Sequence, residues 1–412
     1  MAEVSDYTAL LYYTSAEQGR WNSLAATGTQ TVVTYSFVAP EDLGSASDDP
    51  YGATSYWSFN STQQAYFRQA LAEFEDAAGL IFVETSGPAM INVFGYDGGS
   101  AAGWADLPWA TSYSTSNGEL AIEGGSMAPG TYGYETALHE IGHALGLKHP
   151  HDGDPTLEEH LDTQENTVMT YSYAGYNVSE LGVFDVQALS HIYGDAASTE
   201  GWNSYVRDSG TVVINSSARA ETVLAVGGDT VIRGRAGSDS LIGREGDDRL
   251  IGNLGRDTLT GGRGEDTLIG GRGNDLLMGG QDDDPYSGNG EDDLLRGVSG
   301  RDTLYGGDGN DRLFGGSGRD RLSGGDGSDV MTGGSHGDTF VFVSADFFDS
   351  NEITDFGRGR DKIEFSGTTL TSFSDLTVTQ AGGDTTISYF GYYEIELSGY
   401  TGTLTEDHFL FT

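Results

Sequence analysis

Between residues 234 and 341 an aspartate recurs at every ninth position, and this period constrains the fold more than any other feature of the chain. Twelve units fit the interval, written G-G-x-G-x-D-x-U-x with U large and apolar. Two clean examples are Gly261-Gly262-Arg263-Gly264-Glu265-Asp266-Thr267-Leu268-Ile269 and Gly306-Gly307-Asp308-Gly309-Asn310-Asp311-Arg312-Leu313-Phe314. The eighth position is Leu, Met, Tyr or Phe throughout. A flexible glycine-rich linker has no reason to keep such a register. Glycines permit tight turns at positive φ, and each x-U-x triplet reads as a short strand with one apolar side chain pointing inward. Two units make one turn of a parallel β-roll.

Carboxylates and turn carbonyls of stacked turns offer the hard oxygen ligands that Ca²⁺ takes. The expected calcium ligands are Asp239, Asp248, Asp257, Asp266, Asp275, Asp302, Asp311, Asp320, Asp329 and Asp338. So thin an apolar core couples folding to the ion. The array is irregular in its middle. In Gly279-Gly280-Gln281-Asp282-Asp283-Asp284-Pro285-Tyr286-Ser287 the fourth position is Asp and a proline opens the strand. The following stretch, up to Asp293, reads better shifted back by one residue. A bulge or a missing calcium is expected over residues 279–296, so Asp284 and Asp293 are left out of the ligand set.

The chain has 412 residues, with 20 Lys+Arg against 63 Asp+Glu and a formal net charge of −43. That balance argues against nucleic acid and anionic membranes as partners and suits a divalent cation. Cysteine is absent, which excludes disulfides and thiolate zinc sites. No apolar stretch approaches the ~18–20 residues a membrane span needs. The acidic start, Met1-Ala2-Glu3-Val4-Ser5-Asp6, is not a Sec-type signal peptide.

Residues 1–195 read as globular. Strands are expected at residues 31–37, 81–84, 91–94 and 119–122. Phe67, Leu71, Phe74 and Ala78 recur at helical spacing behind a capping box of Ser61 and Gln64. Further helices run from about Tyr134 to Leu145 and from Asp185 to Tyr193. Residues 196–225 connect to the roll at 226–341, and 342–412 finish it with antiparallel strands.

The second constraint is His139-Glu140-Ile141-Gly142-His143-Ala144-Leu145-Gly146-Leu147-Lys148-His149, which reads H-E-x-x-H-x-x-G-x-x-H. Histidines four apart share a helix face and can address one metal ion. Gly146 lets the helix end and the chain turn back to bring in His149. Three neutral imidazoles with an open fourth position make a catalytic zinc site, and Glu140 lies beside it.

After this run comes Thr167-Val168-Met169-Thr170-Tyr171-Ser172-Tyr173. Here the sequence resembles the metzincin endopeptidases, and within them the serralysins, which carry RTX repeats behind the protease domain. The resemblance runs from about residue 20 to the C-terminus. It implies an α+β metzincin protease domain, a mixed sheet plus helices, followed by a parallel RTX β-roll with a C-terminal antiparallel β extension. It implies that His139, His143 and His149 bind zinc and that Glu140 is the general base. Met169 would form a floor beneath the metal. Tyr171 would be an additional zinc ligand that swings to the oxyanion; Tyr173 lacks the spacing. Glu119, Leu120, Ala121 and Ile122 would form the cleft rim that pairs with an extended peptide. Glu158, Glu159 and Glu165 could supply a third ligand in another protease class, but His149 already holds the metzincin spacing. His151 and His160 read as solvent-facing or supporting residues.

The implied protein is a secreted, broad-specificity zinc endopeptidase stabilised by several calcium ions. It would act on protein and peptide substrates as a monomer, with a protein inhibitor as a further partner. Export would be by type I machinery of a Gram-negative bacterium, read from the acidic-then-apolar C-terminus. No pro-segment is evident before the domain, and the segment between His149 and Met169 is short for the family. The alternative is a calcium-dependent surface or binding protein with a non-catalytic protease domain.

Overall fold

The β-branched and aromatic run at Thr31–Phe37 forms strand β1, buried over all but its last residue. The computed structural model describes all residues except 1–2, 5–6, 12–28, 43–52, 87–88, 100, 106–117, 153–155, 172–176, 200, 208, 226, 344–349 and 390–392. Two units, Met1–Val212 and Val213–Thr412, divide the chain.

In the first unit β1 is followed by β2 (Ser55–Trp57), α1 (Ser61–Ala77), β3 (Leu80–Glu84), β4 (Ile91–Asp97), β5 (Gly103–Ala105), β6 (Gly118–Glu123), α2 (Tyr132–Ala144) and α3 (Val183–Tyr193). The sheet order is β3-β1-β4-β6-β5, with β2 also pairing β4. Its strands β3, β1, β4 and β6 run parallel, whereas β5 and β2 pair antiparallel. Both antiparallel strands are three residues long, too short to show a period, and they are additions to the order expected from the sequence. α1 buries Phe67, Ala70, Leu71 and Phe74. Its capping box uses Asn60 and Gln63 rather than Ser61 and Gln64. The Asn60 side-chain oxygen accepts the N–H groups of Thr62 and Gln63, and Gln63 Oε1 accepts the Asn60 N–H at 3.0 Å. Asparagine is as good an N-cap as serine and starts the helix one residue earlier than expected.

Between Thr222 and Phe340 the ladders of the second unit are parallel with an eighteen-residue offset, as in Leu241↔Leu259 and Leu250↔Leu268. Two nonapeptides therefore complete one turn, and successive units fall alternately in two facing sheets. The inward residue of each strand is fully covered; Leu241, Leu259, Leu277, Leu313 and Phe340 are all 0% exposed. The roll begins before residue 226, because Thr222–Leu224 already pairs with the strand at Ser240.

Two expectations are corrected. The irregular stretch carries no bulge: Leu268↔Tyr286 and Tyr286↔Leu304 keep the eighteen-residue register. Nor is its second half shifted, because Asn289 (φ +83°) and Glu291 (φ +65°) are bent into the conformation that glycine takes elsewhere. The C-terminal extension is only partly antiparallel. Thr339–Val343, Lys362–Ser366 and Phe409–Phe411 continue one parallel sheet, and Ser350–Ile353 pairs in parallel with Tyr393–Leu397. Antiparallel pairing is confined to Thr377–Ala381, Asp384–Tyr389 and Tyr393–Leu397, where the turn at Gly382 and Gly383 closes a tight hairpin. Among the described residues no helix is long and apolar enough to cross a membrane.

Candidate active site and calcium ladder

The inner stripe of α2, made by Tyr134, Ala137, Leu138 and Ile141, is fully buried and fixes the helix against the sheet. That leaves His139 and His143 on one side of it. The helix ends in a Schellman turn: Gly146, at φ +94°, donates to His143 O and Leu147 donates to Gly142 O at 2.9 Å. The chain thereby reverses and His149 returns to the same point.

Each imidazole is oriented through Nδ1. His139 donates to Val168 O at 2.8 Å and His143 to Leu147 O at 2.8 Å, while His149 donates to Asp152 Oδ2 at 2.6 Å. Carbonyl oxygens only accept, so Nδ1 of the first two carries the proton and Nε2 a lone pair. Burial pushes the pKa of His139 down to about 4 and of His143 to about 3, and lowers that of His149. His149 Nε2 lies 3.1 Å from His139 Nε2 and 3.0 Å from His143 Nε2. Two nitrogens bound tetrahedrally to zinc at ~2.0–2.1 Å stand about 3.3 Å apart. Three neutral lone pairs meeting this closely fit a cation and little else.

Glu140 is 6% exposed, and burial pushes its pKa up to about 8. A methyl group on Gly103 would stand 2.7 Å from Glu140 Cγ and 2.9 Å from Oε1, so β5 runs directly alongside the carboxylate. Gly142 opens the other side of α2, where an added Cβ would meet Met169 Sδ at 2.5 Å. The 0%-exposed Met169 fills that space. The Tyr171 ring lies 4.4 Å from the His149 ring and 5.6 Å from that of His139, and is 68% exposed. Tyr173 lies outside the described residues. A cleft of about 480 Å³ runs past Gly103, Tyr132, Glu135, Glu140, Gln164 and Tyr171.

The strand expected to form the cleft rim at Glu119, Leu120, Ala121 and Ile122 is not at the edge of the sheet. β6 is paired on both sides, by β4 and by β5 through Trp104↔Ala121, and Leu120, Ala121 and Ile122 are buried. In the described sheet β5 is the terminal strand. Glu158 and His160 face each other at 3.5 Å, and neither they nor Glu159 and Glu165 join a ligand cluster among the described residues. The ring of His151 stacks on that of His149 at 5.4 Å.

In the roll each ladder aspartate splits its two oxygens. Oδ1 accepts a backbone N–H from one turn earlier, given by Glu221 to Asp239, by Thr230 to Asp248 and from Asp257 onward by an aspartate, as in Asp239 N to Asp257 Oδ1 at 2.8 Å and Asp248 N to Asp266 Oδ1 at 2.9 Å. Oδ2 of Asp239, Asp248, Asp257, Asp266, Asp275, Asp293, Asp302, Asp311 and Asp320 is buried and accepts no hydrogen bond. Backbone carbonyls crowd the same spot: a Cβ on Gly243 would meet Gly261 O at 2.5 Å and Asp248 Oδ2 at 2.6 Å. Converging carbonyl and carboxylate oxygens fit a hard cation. Asp293, left out of the expected set, has the same geometry as its neighbours.

Residues 224–259, 251–284, 287–322 and 314–341 match the RTX calcium-binding nonapeptide repeat. Serralysin A of Dickeya chrysanthemi is 32% identical over 240 residues, 50% of this chain and 49% of that protein. Serralysin C of the same organism is 31% identical over 244 residues, covering 51% and 50%. Metallopeptidase AprA of Pseudomonas marginalis is 28% identical over 214 residues, 43% of each chain. The chain is similar to serralysins over about half its length and carries RTX repeats. It spans about half the length of the serralysins it matches.

Two supporting carboxylates were not singled out from the sequence. Asp152 holds His149. Asp185 of α3 is 0% exposed and accepts from Thr167 Oγ1 at 2.6 Å, from the Val168 N–H at 2.8 Å and from the Gly182 N–H at 2.8 Å. It thereby fixes the turn whose carbonyl orients His139. Asp152 had one available signal, three residues after His149; Asp185 had none, because its main partners are backbone groups.

Proposed function

We propose that the chain is a zinc-dependent endopeptidase of metzincin architecture whose RTX roll is folded and stabilised by calcium. The observation that carries the reading is the convergence of three Nε2 atoms, each ring fixed through Nδ1, beside a buried glutamate at the floor of a cleft. His139, His143 and His149 would hold the zinc. Bound there, zinc would polarise the scissile carbonyl and acidify the attacking water.

The protein's own groups do the rest. β5, the last strand of the described sheet and the one beside Glu140, would guide an extended peptide by main-chain hydrogen bonds, a mode tolerant of side chains and suited to broad specificity. This laid peptide would pass Glu140. Glu140 takes the proton of the attacking water and returns it to the leaving amine. Tyr171, exposed at the cleft and packed on two of the imidazoles, is the donor for the developing oxyanion, a contribution typically of ~2–4 kcal/mol.

In the roll, Asp239, Asp248, Asp257, Asp266, Asp275, Asp302, Asp311, Asp320, Asp329 and Asp338, joined by Asp293, would hold calcium. Low cytosolic calcium would keep so acidic a segment unfolded for type I export from a Gram-negative cell, and external calcium would fold it. The test is casein hydrolysis by the chain with zinc and calcium, beside its Glu140→Ala variant. Activity lost in the variant while zinc is retained supports the enzyme. A zinc-loaded wild-type chain with no more activity than the variant refutes it and leaves the non-catalytic binding protein.

A further inference from the structure

One turn of the ladder differs from its neighbours in what meets its aspartate. The Tyr286 hydroxyl donates to Asp284 Oδ2 at 2.7 Å. Tyr286 stands at the inward apolar position of its repeat and is 3% exposed. Its ring therefore runs along the core, and its oxygen ends where neighbouring turns bring only carboxylate and carbonyl oxygens together. A Cβ on Gly279 would overlap the phenol oxygen first, whereas on Gly261 or Gly306 it meets the Asp Oδ2 of its own turn first.

Three further observations fall on the same nine residues. In a clean turn the second and fourth positions are left-handed, as at Gly307 (φ +122°) and Gly309 (φ +136°); neither Gly280 nor Asp282 takes that conformation. Pro285 has no N–H, so it cannot make the bond that Thr267 and Leu276 make to Asp248 O and Asp257 O in their turns. Finally, the matched repeats break here: one ends at residue 284 and the next begins at 287.

We propose that the Asp284 turn takes no calcium and is closed instead by the Tyr286 phenol. A calcium ion in a turn satisfies a carboxylate that has lost its water. Here a hydrogen-bond donor does so from inside the core, and a donor hydrogen repels a cation placed at the same oxygen. Asp284 lies between Asp266 and Asp302 in the ladder of eighteen-residue steps. The calcium column on that face is therefore two separate columns, with Asp248 and Asp266 on one side and Asp302, Asp320 and Asp338 on the other. The opposite face, which includes Asp275 and Asp293, remains continuous.

This inference rests on the reading of the repeats as calcium sites, and the experiment separates the two. Calcium bound per chain is counted by mass spectrometry after equilibrium dialysis for the full-length protein, Asp284→Asn and Asp257→Asn, with circular dichroism to verify folding. Asp257→Asn should lose one ion and Asp284→Asn none. If both lose one, the phenol-closed turn is overturned and the calcium reading stands. If Asp257→Asn loses none, the calcium reading falls and this inference with it. A triple variant, Asp282→Gly with Pro285→Thr and Tyr286→Leu, restores a regular repeat and should gain one ion. A count equal to wild type would overturn the claim that this loop and its phenol keep the ion out.

Discussion

Asp185 accepts the backbone N–H of Val168 at 2.8 Å, and the carbonyl of that same residue receives Nδ1–H of His139 at 2.8 Å. A buried carboxylate on α3 thus sets the direction of the His139 imidazole through one residue. Asp185→Ala leaves the N–H groups of Val168 and Gly182 and the Thr167 hydroxyl without their acceptor. A buried donor left so costs about 1–3 kcal/mol, so the variant should lose roughly 3–5 kcal/mol of N-terminal unit stability. Groups that orient metal ligands typically carry 10–100-fold of metal affinity. Chelator competition should show weaker zinc binding by about that factor in whatever fraction stays folded. Unchanged zinc affinity would mean that the Val168 turn holds its shape without Asp185.

Tyr171→Phe separates packing from chemistry. The ring is 68% exposed and removing the hydroxyl leaves its contacts with His139 and His149 in place. Thermal stability should not change measurably. Turnover should fall about 10²–10³-fold with KM nearly constant, as for loss of an oxyanion donor. A variant with wild-type kcat would remove Tyr171 from the mechanism.

The roll was legible because its period is written in consecutive residues, and so was the histidine cluster, whose spacing is that of a helix and its reversal. The cleft rim was not. β5 is three residues, Gly103-Trp104-Ala105, with no alternation, and its partner β6 lies well downstream, so Glu119, Leu120, Ala121 and Ile122 took its place in the sequence reading. Asp185 was invisible because it acts on backbone groups that any residue supplies. The irregular repeat showed only as a departure. Its consequence, a phenol on Asp284, needed the ring's direction, and the same irregularity also set aside Asp293, whose geometry matches its neighbours.

In calcium-free solution the roll should be more stable in mild acid than at pH 8. Burial pushes Asp248 up to about 9 and Asp293 up to about 8, with neighbouring aspartates adding to the rise; Asp239, Asp266, Asp275 and Asp302 reach about 7. A carboxyl whose folded pKa lies above its unfolded value binds more protons folded than unfolded. Stability therefore grows as pH falls from about 9 towards the ordinary carboxylate value near 4, and is lost as pH rises. With chelator present, amide exchange in peptides from residues 240–330 should slow on going from pH 8 to pH 5.5 by more than the intrinsic chemical rate explains. Saturating calcium, which needs the deprotonated ladder, should remove or reverse the trend. Chelated protein with pH-independent protection would contradict the buried-carboxylate account.

Val298 occupies the second position of its repeat, at φ +83°, where Gly307 and Gly316 occupy the same position in other units. A β-branched residue there is strained, because its Cβ crowds the following carbonyl, at roughly 1–2 kcal/mol. The side chain is 54% exposed, so little burial is forfeited by removing it. Val298→Gly relieves the strain but gives the unfolded chain more freedom, at about 0.5–1 kcal/mol. The net gain should be about 0.5–1 kcal/mol, read as a higher urea midpoint of the calcium-loaded protein. Asn253, at φ +80°, supplies the comparison. Asparagine tolerates this region, so Asn253→Gly should gain less than Val298→Gly. If the two variants shift the midpoint equally, or Val298→Gly lowers it, the valine is held by contacts that outweigh its backbone strain.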